Sequence, residues 1–327
     1  MTYEGDLSEA RAEEHAVIAF GGTRQDSDGG GRTQRAEKIV TVHALPPGID
    51  RFTVTGRLVG LAGGRWDVAA VRLDPRTDRP HGAVQRSAIS TRPAALAYGP
   101  AVRVWSWPVL VGVGAVLALL LQAIMLRRAG MNYPAVTAVS VVACVLGFVG
   151  AKVWYLVLHR RHPRFFLKAG ACIQGFLLTA FAVLAVGALV LRMPVGVVLD
   201  ATTPGLFLGM ALGRPGCFLT GCCAGRPTRS RWGMWSSDRT VAVRRVPVQL
   251  IEAGAALAIG SAATWIVWTR TASLDGTVFM GSIAAYVLVR QLLFPYRSDP
   301  HTRRGRLVTV VLAATLLVIT VGSVWFR

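Results

Sequence analysis

From residue 104 to residue 326 the chain is a succession of seven apolar stretches, at about 104–126, 136–158, 168–192, 196–222, 247–269, 277–295 and 306–326. Each approaches the ~20 residues that a helix needs to cross the hydrocarbon core of a bilayer. In lipid every backbone amide and carbonyl must be satisfied within the protein, which leaves helices or closed barrels as spanning structures. Apolar runs of this length predict helices, and so an all-α polytopic membrane domain over 104–327. Hydrophobic residues at 53%, charged residues at 16% and a mean hydropathy of +0.46 fit that class. They exclude a soluble enzyme, a secreted disulfide scaffold and a disordered chain. The fourth stretch is interrupted by Gly, Pro and Arg. Irregular backbone at membrane depth is expected only where protein or a wet cavity covers it, so the loop that follows is where a site is sought.

The first hundred residues have a different texture. They hold 13 Lys and Arg against 12 acids, whereas residues 101–327 hold 23 against 5. Residues 1–35 contain Asp26-Ser-Asp-Gly-Gly-Gly31 and no periodic apolar pattern, and are expected to form a flexible tail. Over residues 36–100, Ile39-Val-Thr-Val-His43, Phe52-Thr-Val-Thr-Gly56 and Trp66-Asp-Val-Ala-Ala-Val71 alternate apolar with polar. Alternation of period two predicts strands. A small β-rich soluble module of about four strands is expected there, joined to the spans by residues 92–103.

The basic excess sits in short segments between apolar runs. That pattern indicates topology signals and contacts with anionic lipid head groups, and argues against nucleic acid. With the N-terminal module taken as cytoplasmic, the loops on its side carry fourteen basic residues and the opposite side five. The first apolar run also begins too late for a signal peptide, so the module is expected inside. Most of the Trp residues fall near segment ends, as in an aromatic belt. All five cysteines lie at or beside spans, which argues against a disulfide framework. Cys217, Cys222 and Cys223 are too cramped for a tetrahedral zinc site and have no histidine nearby, so no metal and no cofactor are expected.

Ionisable residues inside spans are costly and mark function by default. Four stand out: Asp200, Arg214, Glu252 and Arg290. One reading pairs them with each other or with backbone carbonyls. The other turns Arg214 and Arg290 toward a lipid phosphate, because guanidinium stays charged in a poor solvent and its fork matches phosphate oxygens. The densest segment is Gly213-Arg-Pro-Gly-Cys-Phe-Leu-Thr-Gly-Cys-Cys-Ala-Gly-Arg-Pro-Thr228. Four glycines in thirteen residues let backbone approach a head group closely. Downstream come Arg245-Val-Pro-Val-Gln-Leu-Ile-Glu252 and Tyr286-Val-Leu-Val-Arg290.

In these ordered motifs the chain resembles the prolipoprotein diacylglyceryl transferase family over about residues 104–327. Members of that family carry Gly-Arg-x-Gly-Asn-Phe, a Gly a few residues on, Pro-x-Gln-Leu-Tyr-Glu, and a late helix with an Arg followed by an acid. The resemblance implies an enzyme of the bacterial inner membrane that takes the diacylglyceryl group from phosphatidylglycerol, releases glycerol phosphate, and uses the cysteine thiol of a prelipoprotein as acceptor. It assigns Arg214 and Arg290 to phosphate and Gly216, Gly221 and Gly225 to the glycine framework. Gln249 and Glu252 match the Gln-Leu-Tyr-Glu motif, Asp200 matches an Asp ahead of the glycines, and Trp107 takes the place of an early tyrosine. Arg245 joins the substrate-binding set. The resemblance also implies an exterior position for the loop between the fourth and fifth spans, opposite to the charge count.

The departures concern proton handling. The family's Asn is Cys217, its glutamate before the last glycine is Cys222, its His-Gly is Gln174-Gly175, and the acid after Arg290 is Phe294. Cys217, Cys222 and Gln174 are therefore candidate catalytic positions. A thiolate at Cys222 or Cys223 beside Arg214 could replace the missing base, or the cysteines could be small packing residues. Three functions stay open: the family's transfer, the same lipid chemistry on another acceptor, and a non-catalytic phospholipid-binding scaffold whose N-terminal module holds a partner.

Overall fold

The computed structural model describes residues 1–6, 14–25, 34–58, 61, 63–91, 98–168, 170–269, 275–298 and 303–325. Packing divides them into two units. The first comprises Met1–Leu110, Arg214–Ile251 and Leu293–Pro300, and the second Val111–Gly213, Glu252–Leu292 and His301–Arg327.

The first unit is built on strands β1 (Thr2–Gly5), β2 (Glu14–Arg24), β3 (Arg35–Leu45), β4 (Phe52–Thr55), β5 (Gly64–Leu73) and β6 (Pro80–Thr91). A short hairpin follows, β7 (Tyr98–Gly99) with β8 (Val102–Arg103). Residues 1–35, expected as a tail, thus contribute two strands, while Asp26–Gly31 lies outside the described residues. β2 escapes an alternation search because Ala16-Val-Ile-Ala-Phe20 is continuously apolar. It is a central strand, in the order β3-β2-β5-β6, with Ala16, Ile18 and Phe20 buried and Val17 and Ala19 half-buried on the other face.

The N-terminal strands do not close a module on their own. Between the fourth and fifth helices lie β9 (Met234–Ser237) and β10 (Val241–Arg245), and the second sheet has the order β1-β4-β10-β9. β10 pairs antiparallel with β4, Val241 opposite Val54 and Ala242 opposite Thr53, and the Thr55 amide donates to the Thr240 carbonyl at 2.7 Å. Val241 and Val243 pack in one apolar core with Ile18, Phe20, Val42, Phe52 and Val54. The soluble part is therefore shared between the N-terminal segment and an inter-helix loop.

Among the described residues, seven helices are long and apolar enough to cross a membrane: α1 (Ser106–Arg128), α2 (Tyr133–Leu158), α3 (Ile173–Val190), α4 (Val195–Thr220), α5 (Val248–Thr269), α6 (Thr277–Leu293) and α7 (Arg303–Trp325). The third stretch begins later than expected, because Pro163–Lys168 is a 3-10 turn whose Phe166 and Leu167 carbonyls accept from Lys152 Nζ at 3.1 and 3.0 Å. The fourth is unbroken helix through Pro204, Gly213 and Pro215, where an interruption was expected. A proline removes one amide, and lipid penalises any wider loss of backbone hydrogen bonds, so the helix persists.

In the second unit, helices cross at small residues. A Cβ on Gly209 of α4 would lie 2.5 Å from the Gly114 carbonyl oxygen of α1, and Gly205 is packed against Ala118. Close backbone approach of this kind drives helix association where lipid tails are as apolar as leucine. Asp200 on α4 is 5% exposed and caps α6, its Oδ2 accepting from the Gly276 amide at 2.8 Å and its Oδ1 from Phe279 at 2.9 Å.

A sheet cannot be divided by a bilayer, so the N-terminal strands and the α4–α5 segment lie on one side of the membrane. In a cysteine-free background, single cysteines at exposed Ser87 and exposed Ser230 should be labelled by an impermeant maleimide from the same side. Labelling from opposite sides would show that β4 and β10 do not pair. Asp200→Ala removes the acceptor from two α6 amides and should lower stability by about 1–2 kcal/mol, read as thermal unfolding in detergent.

Candidate active site

The glycine segment begins inside α4 and leaves it through a tight turn. The Cys222 amide donates to the Cys217 carbonyl at 3.1 Å and the Gly221 amide to Phe218 at 3.4 Å, with Gly221 at φ +73°. This is a Schellman ending, and it needs glycine at the left-handed position. Space makes the same demand: a Cβ on Gly221 would sit 2.7 Å from the Ser237 carbonyl oxygen. Two residues on, Cys223 also has a left-handed backbone, φ +54°, without glycine's freedom.

Several groups hold the turn from outside. Gln249 Nε2, in the first turn of α5, donates to the Cys222 carbonyl at 3.0 Å. Arg239 Nε donates to the Thr220 carbonyl at 3.2 Å, and the Thr220 hydroxyl to the Arg103 carbonyl at 3.2 Å. Residues 224–228 then run between two neighbours. The Arg226 amide donates to Tyr296 at 2.8 Å, the Val246 amide to Arg226 at 3.0 Å, and Arg226 Nε to the Arg297 carbonyl at 3.0 Å. A Cβ on Gly225 would collide with the Val246 carbonyl.

Arg245 is 3% exposed. Its Nη1 donates to the Gly225 carbonyl at 3.0 Å, and its Nη2 to Asp238 Oδ2 at 2.7 Å and to the Val241 carbonyl at 3.2 Å. Burial pulls its pKa below the usual guanidinium value, against the opposing charge of Asp238. The sequence groups Arg245 with substrate contacts, whereas the structure directs its fork into the protein, where it fixes Gly225.

Arg214 is half-buried between buried Gly213 and buried Gly216. Trp107 meets this segment through its backbone: a Cβ on Gly216 would lie 3.0 Å from Trp107 Cα, while the indole is 38% exposed. The three thiols are graded in access, Cys217 buried, Cys222 half-buried and Cys223 exposed. Hydrogen bonds that the Cys222 thiol donates to Cys217 and Cys223, together with burial, push its pKa up. Cys223 is pushed down by the hydrogen bonds of Cys217 and Cys222 and then by the charges of Arg297 and Arg214. Of the three thiols, Cys223 is thus the one whose ionisation its surroundings favour, although packing is the simplest sequence reading of it.

Arg297 is 1% exposed and its backbone bridges to Gly225. Sequence reasoning counts it only as a topology charge. Its position, directly after Phe294-Pro-Tyr at the end of a span, is the one signal that could have singled it out.

The second unit holds the remaining expected residues. Glu252 is fully buried, and Arg290 Nη1 lies 3.8 Å from its Oε1, an ion pair longer than a hydrogen bond. The pairing alternative read from the sequence is thus realised for these two residues, whereas Asp200 has the α6 amides as partners. Gln174 is exposed in the first turn of α3, and Gly175 beside it packs against the Gly150 carbonyl. Among the described residues no group of three or more His, Cys, Asp and Glu side chains could hold a metal ion.

Comparison with known proteins adds a family match. The family model described as prolipoprotein diacylglyceryl transferase covers residues 93–326. A phosphatidylglycerol–prolipoprotein diacylglyceryl transferase from Clostridium tetani is 23% identical over 220 residues, 64% of this chain and 86% of the relative. One from Clostridium perfringens is 24% identical over 221 residues, 64% and 84% of the two chains. One from Dehalococcoides mccartyi is 33% identical over 107 residues, 30% of this chain and 40% of the relative. Strands β1 to β6 precede the family match, although β4 pairs with a strand inside it.

Gly221→Ala places a side chain in a left-handed position against a carbonyl and should cost about 1–3 kcal/mol. Gly254→Ala, in α5 with open space around it, should be neutral or stabilise by up to about 1 kcal/mol. Thermal unfolding of both variants in detergent checks the contrast, and equal effects would show that the turn does not need its glycine.

Proposed function

Because the chain belongs to the prolipoprotein diacylglyceryl transferase family, we propose that it transfers the diacylglyceryl group of phosphatidylglycerol to a thiol acceptor and releases glycerol phosphate. Arg214 is the observation that carries this reading. It is a guanidinium within a helix long and apolar enough to span a membrane, half-buried between two buried glycines. Such a group keeps its charge in a poor solvent and offers phosphate two parallel donors.

In this reading the acceptor sulfur forms a bond to the terminal glyceryl carbon. The carbon–oxygen bond to phosphate breaks, and the oxygen leaves with the electron pair on glycerol phosphate. Arg214 neutralises the charge on phosphate. Gly216, Gly221 and Gly225 let neighbouring backbone close around the turn after Arg214, and Gln249 and Arg245 hold that turn in place. The acceptor proton goes to Cys223, which replaces the family's histidine. Cys217 and Cys222 donate hydrogen bonds to its sulfur, and Gln174 no longer serves as a base.

The relatives are named for a prelipoprotein acceptor, and its cysteine supplies the thiol. The arginine bias supports a cytoplasmic position for the shared sheet and the glycine turn, and the acceptor thiol is proposed to be presented on that side. An alkaline phosphatase fusion at Thr2 that is active, with a dark fluorescent-protein fusion at the same site, would reverse the orientation and restore an exported prelipoprotein as acceptor.

Membranes containing the protein, given labelled phosphatidylglycerol and a thiol peptide, should release glycerol phosphate and form a labelled thioether. Arg214→Ala should reduce turnover by about 100-fold or more, and Arg214→Lys should not restore it, because an ammonium lacks the fork. Cys223→Ser should lose more activity than Cys222→Ser. An inactive wild-type protein that still binds phosphatidylglycerol vesicles would favour the scaffold reading.

A further inference from the structure

The turn after α4 holds more sulfur than one proton transfer needs. The Schellman ending brings Cys217 and Cys222 together, with the Cys222 thiol 3.7 Å from the Cys217 carbonyl oxygen. The thiols of Cys217, Cys222 and Cys223 are hydrogen-bonded to one another. Cys223 is the exposed member, held in a left-handed backbone that a cysteine adopts only when its surroundings impose it. The negative end of α4 disfavours a thiolate there. Against it stand the charges of Arg214 and Arg297 and the first turn of α5, whose Gln249 grips the Cys222 carbonyl. An accessible thiol beside cations, with further thiols nearby, is the arrangement that disulfide exchange requires.

We propose that this cluster is a thiol–disulfide exchange site, in which Cys223 attacks a disulfide substrate and Cys217 resolves the mixed disulfide. In the first step the Cys223 sulfur bonds to one substrate sulfur, the substrate S–S bond breaks, and one substrate thiolate leaves with the electron pair. In the second, Cys217 loses its proton to solvent, attacks Cys223 and expels the second substrate thiolate. Two protein thiols are oxidised to a Cys217–Cys223 disulfide while the substrate disulfide is reduced to two thiols. A dithiol reductant resets the site. Cys217 is the resolving group because a bridge between adjacent Cys222 and Cys223 would close a small, strained ring. The substrate class is an exposed peptide or low-molecular-weight disulfide. This activity needs no lipid and stands apart from the transfer proposed above.

The test uses the full chain in detergent with 5,5′-dithiobis(2-nitrobenzoate) as the disulfide and no phospholipid. Wild-type protein should release two nitrothiobenzoate ions per chain in a fast phase, and dithiothreitol should restore the thiols. Cys217→Ser should release one ion in that phase and retain the adduct on Cys223, as read by peptide mass. Cys222→Ser should still release two. Cys223→Ser should lose the fast phase, leaving reaction at least about tenfold slower. The fast rate should change less than about twofold between pH 6.5 and 7.5, where an ordinary thiol changes about tenfold. A fast phase that survives Cys223→Ser, one ion from wild-type protein, or a second release lost in Cys222→Ser would each overturn the proposal. If Cys223→Ser fails to fold, the contrast of one ion with two between the Cys217 and Cys222 variants still decides it.

Discussion

Backbone leaving a helix beside lipid must find hydrogen-bond partners immediately, and the end of α4 shows how much structure that demand recruits. The Schellman turn satisfies two carbonyls within the chain. The Cys222 carbonyl needs Gln249, the Thr220 carbonyl needs Arg239, and the Gly225 carbonyl needs Arg245. Arg245 in turn comes from β10, which is held by β4 of the N-terminal segment. A few unsatisfied backbone groups at one helix end thus link a soluble sheet, an inter-helix hairpin and the start of α5. The arginines and thiols of the candidate site are fixed as a by-product of that accounting.

The parts of this architecture that depend on local pattern were legible in the sequence. Seven spans follow from apolar run length, and β3, β4 and β5 from alternation of period two. The glycine segment announced a site through its composition and through an arginine at membrane depth. What could not be read was pairing between distant segments. Val241-Ala-Val-Arg-Arg245 looks like an arginine-rich loop until β4 lies beside it, and Ala16-Val-Ile-Ala-Phe20 becomes a strand only between two neighbours. The same blindness covers Arg297 and Arg245. Each looks like a topology charge because burial is a property of what packs around a residue.

Charged residues chosen by one argument also fall into different roles once their partners are known. Asp200, Glu252, Arg214 and Arg290 share the cost of ionisation in a span. Asp200 meets that cost by accepting two amides of α6, and Glu252 lies opposite Arg290. Intramembrane charge marked all four residues, but only geometry separates a helix cap from an ion pair.

The β4–β10 pairing has a consequence for synthesis. β4 emerges from the ribosome before any span, whereas β10 follows α4, so about 190 residues separate the two partners. At ~5–20 residues per second, β4 waits on the order of 10–40 s with one edge open. An unpaired edge invites mispairing, and closure becomes possible only when four helices have returned the chain to the side it left. Completion of the soluble sheet therefore registers that the first four spans were inserted in the correct orientation. A chain with one span missed would place β10 across the bilayer and leave β4 exposed to quality control.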